Sequence, residues 1–113
     1  MKKKSRASKK FGDFRDIKAH IFRGKKYKVI WRKPPDDFFD YDADGSCDDR
    51  NATQKEMWIN PDVDQKEFLK ICIDESFHAC LFEVDNEIVD AISESMGEFL
   101  WRIGFRLEYE QDK

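Results

Sequence analysis

The chain lacks any long apolar run. Its longest strongly apolar stretches are three or four residues, such as Phe99-Leu100-Trp101, far short of the ~18 needed to span a bilayer. No apolar h-region follows the basic start, so no secretory signal is read there. Cysteine is scarce, at three (Cys47, Cys72, Cys80), with no C-x-x-C pair. That excludes a disulfide scaffold and a thiolate zinc knuckle. Cys72 and Cys80, eight residues apart on one expected helix, would stand about 12 Å apart, too far to bridge. Reduced thiols in a cytoplasmic protein are the expectation. Internal repeats are absent too.

What is present is charge and aromatic residues: 24 Asp+Glu against 21 Lys+Arg, ten Phe and three Trp in 113 residues. That mixture suits one small folded domain and is too aromatic for a disordered chain. The charge is unevenly placed. Residues 1–35 hold 14 Lys/Arg against two acids, Asp13 and Asp16, whereas residues 36–113 hold 22 acids against seven Lys/Arg. Residues 1–12 read as a basic mobile tail and 13–113 as the domain. The tail's Lys2, Lys3, Lys4, Arg6, Lys9 and Lys10 can neutralise phosphates of a nucleic acid or meet an acidic partner. No aromatic is interleaved among them to stack on bases, and a solvated terminus is the plainer reading.

Tyr27, Val29 and Trp31 alternate with Lys28, Ile30 and Arg32, the pattern of a half-buried strand. Gly24 supplies a turn, so Ile17–Phe22 and Tyr27–Arg32 suit a hairpin, ended by Pro34-Pro35, with a helical turn as the alternative for Ile17–Phe22. Residues 36–54 read as an acidic loop, and Lys55–Asn60 as one further strand. Two helices follow. Asp64 N-caps the first, with Glu67 three residues on; Phe68, Leu69, Cys72, Ile73, Phe77, Cys80 and Leu81 recur at helical steps to about Phe82. Asp85 caps the second, whose stripe is Ile88, Ala91, Ile92, Ser95, Met96, Phe99, Leu100 and Ile103. The expected fold is α+β, a small antiparallel sheet packed on two C-terminal helices.

The first helix carries Asp74-Glu75-Ser76-Phe77-His78 amid apolar neighbours. Asp74 and His78, four apart, share one helix face. Such a pair offers a carboxylate oxygen and an imidazole nitrogen to one divalent ion, with Glu75 about 100° round the helix. This is H-E-x-x-H with Asp in place of the first His; in the full motif two imidazoles hold Zn²⁺ and the Glu is the general base. One carboxylate beside one His tolerates Zn²⁺ and also Mn²⁺ or Fe²⁺. The bland alternative is an amphipathic helix with a hydrogen-bonded His78 and solvated acids.

From about Gly45 to Arg106 the chain resembles small zincin-like proteins of the SprT/IrrE/minigluzincin type, including short phage-encoded ones. Gly45-Ser46-Cys47-Asp48 resembles the turn before their edge strand, and Met57-Trp58-Ile59-Asn60 that strand. Ile73–Cys80 resembles their active helix, Val84-Asp85-Asn86-Glu87 the segment opening the next helix, and Phe99–Arg106 their closing L-W-R-L-G-x-R. The resemblance implies a zinc metallopeptidase scaffold acting on peptide or protein. It makes Glu75 the general base, Asp74 and His78 metal ligands, and Glu87 the third ligand, with Asp90 and Glu83 as rivals. Asp74 departs from the family's His. A catalytically inactive binding or structural protein that uses its basic arm is the alternative.

A rival metal signal is Asp40-x-Asp42-x-Asp44-Gly45, with Asp48 at position 9, as in a calcium loop. Position 12 is Asn51 rather than the bidentate Glu, which would leave Ca²⁺ weakly held; a solvated acidic turn is the plainer reading.

Overall fold

The computed structural model describes residues 12–35 and 43–108. After a single 3-10 turn, Phe14–Asp16, come β1 (Ala19–Phe22), β2 (Lys25–Ile30), β3 (Gly45–Cys47), β4 (Glu56–Ile59), and two helices, α1 (Gln65–Cys80) and α2 (Asn86–Arg102). The α+β expectation holds. No described helix is long and apolar enough to cross a membrane.

β1 and β2 form the expected hairpin, with Phe22 opposite Lys25. Its two-residue turn places both Arg23 (φ 49°) and Gly24 (φ 84°) in the left-handed region, as a twist-matched tight hairpin requires. The sheet order is β1-β2-β4-β3. β4 runs parallel to β2, Val29 beside Met57, while β3 pairs antiparallel with β4, Cys47 opposite Met57. The sheet is therefore mixed, and it gains a fourth strand from a segment read as loop. Gly-Ser-Cys has little strand preference of its own; β3 exists because β4 offers a partner.

One face of the sheet presents Tyr27, Val29, Met57 and Ile59, all buried. α1 lies on it through Phe68, Ile71, Glu75 and Ala79, spaced three, four and four apart. Asp64 Oδ1 accepts from the Glu67 backbone N–H at 2.8 Å, so the predicted N-cap is present. Arg23 fastens the other end. Its guanidinium donates to Cys80 O (2.7 Å) and to Glu83 (2.8 Å), and both Arg23 and Arg50 lie over the Phe82 ring.

α2 packs on α1 and not on the sheet. Its buried residues are Val89, Ser93 and Gly97. A Cβ on Gly97 would stand 2.6 Å from Lys70 Cγ, so glycine permits the close crossing. Lys70 Nζ then reaches Glu94 (2.6 Å) and Glu98 (2.8 Å). The expected apolar stripe of α2 does not face this contact. Ile88, Ile92, Met96, Phe99 and Ile103 are exposed, because the helix docks by its small residues. Asp85 occupies the N-cap position but makes no side-chain cap bond. Beyond α2, the Gln65 side chain exchanges two hydrogen bonds with the Leu107 backbone.

Candidate metal centre

α1 turns Asp74 and His78 toward α2 and Glu75 toward the sheet. The crossing of α2 brings up Asp90. His78 Nε2 is 3.1 Å from Asp90 Oδ1 and 3.5 Å from Asp74 Oδ2, and one ligand atom from each of the three residues lies within 4.8 Å of the others. Ligand atoms about 2.1 Å from one ion would be about 3.0 Å apart at right angles and about 3.4 Å apart in a tetrahedron. The two measured separations are of that size.

The electrostatics point the same way. Asp74 Oδ1 is buried without a hydrogen-bond partner, a costly state for a carboxylate oxygen. Burial raises the Asp74 pKa, the neighbouring Asp90 carboxylate adds to the rise, and His78 opposes it. Glu75, only 7% exposed, is pushed up to about 8, first by burial and then by the charges of Asp74 and Asp90. Asp74 and Asp90 flank the His78 imidazole, and their charges also act on Glu75, so the site is rich in negative charge. A divalent ion would offset that charge, and the carboxylate–imidazole–carboxylate donor set fits one.

Gly45, on edge strand β3, completes the site. A Cβ there would sit 2.7 Å from Glu75 Oε2 and 2.8 Å from Ile71 Cγ2; only glycine leaves the Glu75 carboxyl its place. Gly45, Asp74, Glu75, Asp90 and Ser93 line a cleft of about 370 Å³, with Lys70 on its wall.

Of the sequence-predicted residues, Asp74, Glu75 and Asp90 line the cleft, and His78, which does not, meets Asp74 and Asp90 at its margin. Glu87 lies three residues earlier, exposed in the first turn of α2, outside the converging group. Glu83 is engaged by Arg23. The signal that singles out Asp90 is its spacing: with Ser93 and Gly97 it forms the small, polar flank by which α2 meets α1. In the candidate calcium loop, Asp40 and Asp42 lie outside the described residues. Asp44 Oδ1 accepts from Asn60 (2.9 Å) and Asp48 Oδ2 from the Glu56 N–H (3.0 Å), so these two carboxylates tie β3 to its surroundings. The basic residues Lys2 to Lys10 also lie outside the described residues. The three cysteines are free, and burial pushes the Cys47 and Cys72 thiols up to about 12, which keeps them neutral and poor ligands.

No family model matches the chain, and no curated protein or solved structure matches it.

Proposed function

We propose that this chain is a minimal metal-dependent hydrolase of zincin-like type acting on peptide bonds, with Asp74, His78 and Asp90 as its ligand set and Glu75 as its proton carrier. The observation that carries this reading is the convergence of those three ligand atoms where α1 meets α2, two of them on carboxylates that line one cleft with buried Glu75. A bound divalent ion supplies Lewis acidity there. A cation there would lessen the repulsion of Asp74 and Asp90 that adds to the effect of burial on Glu75, and so favour the carboxylate form that a general base needs. Its carboxylate would take a proton from a cleft water as the water oxygen bonds to the scissile carbonyl carbon, and would return that proton to the amine nitrogen as the C–N bond breaks. β3 ends the described sheet, and an extended peptide laid along it would pass Gly45 and face Glu75. Asp44, Glu67 and Glu94 also line the cleft and favour a cationic peptide.

The carboxylate at the first ligand position supports a second reading, a metal-binding scaffold without turnover. One experiment separates them. Chelator-treated protein is titrated with Zn²⁺ and with Mn²⁺ by calorimetry and thermal unfolding, and hydrolysis of a basic peptide library is followed. About one equivalent is expected to bind and, at 100 times Kd, to stabilise the fold by about 2.7 kcal/mol. Asp74→Ala, His78→Ala and Asp90→Ala each lose binding, whereas Glu87→Gln keeps it. Glu75→Gln keeps the metal and loses hydrolysis. Absence of saturable binding defeats both readings; binding without hydrolysis leaves the scaffold.

A further inference from the structure

α2 carries Ile88, Ile92, Met96, Phe99 and Ile103 at steps of four, four, three and four, which places them on one helix face. None is covered: Phe99 is 62% exposed, Ile103 56% and Ile88 51%. At roughly 200 Å² per large apolar side chain, the stripe leaves about 500 Å² of apolar surface in water. That is the upper end of what a monomer exposes in one patch. It also equals the apolar part of a standard interface, about 65% of ~800 Å² per partner for a homodimer.

We infer that the stripe is the contact of a twofold dimer in which α2 packs antiparallel on α2 of a second copy. Two features select this occupant. The stripe is spaced almost symmetrically about its midpoint at Ser95 and Met96. An antiparallel copy sets Ile88 near Ile103 and Ile92 near Phe99, so the same patch serves both partners, as an isologous interface requires. The ends of α2 are also complementary. Asp85 stands exposed at its start and Arg102 exposed at its finish. Antiparallel pairing brings each acidic end to a basic end, while parallel pairing opposes like charges. Asp90 projects from the opposite flank of α2, so both clefts stay open in the dimer and the contact is independent of metal binding.

The test is sedimentation equilibrium of the full chain from 1 to 100 µM. A species of twice 13.5 kDa, about 27 kDa, is expected. The double variant Ile92→Glu/Phe99→Glu is expected to raise the dimer Kd at least tenfold, with helical circular dichroism and metal titration unchanged. Orientation is read separately by cysteine cross-linking. Ser95→Cys, near the axis, is expected to form an intermolecular disulfide at least tenfold more than wild type or Ile88→Cys. A wild-type monomer at 100 µM overturns the inference. So does a dimer indifferent to the double variant, or Ile88→Cys cross-linking as well as Ser95→Cys. A dimer that appears only after residues 1–11 are removed overturns it too, since the chain's own basic segment would then be the occupant.

Discussion

Replacing Glu75 by Gln tests the buried carboxyl directly. In the metal-free protein the folded state holds the Glu75 proton up to about pH 8, against an ordinary value of 4.5. Between those values the folded state binds more protons than the unfolded chain, so stability falls as pH rises. The contribution is fully present below pH 4.5 and lost above about 8. At about 1.36 kcal/mol for each pH unit, the gap corresponds to a loss of up to about 5 kcal/mol. Gln keeps the shape of the protonated acid and does not titrate. Urea unfolding with chelator present, at pH 5, 6, 7 and 8, should therefore show wild type losing stability relative to Glu75→Gln. The gap should open steadily and exceed 2 kcal/mol by pH 8. Curves that stay parallel within about 0.5 kcal/mol would show that the carboxyl is not desolvated in the fold, and the electrostatic account of the cleft would fail with it.

Gly45→Ala puts a methyl against Glu75 Oε2 and Ile71 Cγ2; both side chains are buried on α1, so overpacking should cost about 1–3 kcal/mol in urea unfolding. The two helix starts make an internal control: Asp64→Ala removes a real cap bond and should cost about 1 kcal/mol, while Asp85→Ala, with no cap bond to lose, should cost less than half as much by the same assay.

Elements governed by local rules were legible in the sequence. The hairpin followed from Gly24 and the Tyr27/Val29 alternation, and α1 from Asp64 and its periodicity. What escaped depended on distant partners. β3 is three residues long and gains its strand geometry from β4. The parallel β2–β4 pair is closed by a crossover through residues 31–55, whose composition signals only loop and turn. The core stripe of α1 includes Glu75, which an apolar count passes over. The family-like position favoured Glu87 as third ligand; the angular position of α2 favours Asp90. That angle is not legible in the sequence, because an amphipathic helix is expected to bury its apolar face, and α2 does not.

The reason for that inversion is geometric. Asp90 reaches His78 at 3.1 Å only while α2 meets α1 through Ser93 and Gly97, since larger residues in the crossing would push the helices apart. The apolar stripe lies about 100° round the same helix. Rotating α2 to bury Ile88, Ile92 and Phe99 against α1 would swing Asp90 out of the cleft and away from Asp74 and His78. It would also place Lys70 opposite hydrocarbon in place of Glu94 and Glu98. One helix cannot present both flanks to α1. The polar flank brings Asp90 to Asp74 and His78, and the apolar flank is left exposed.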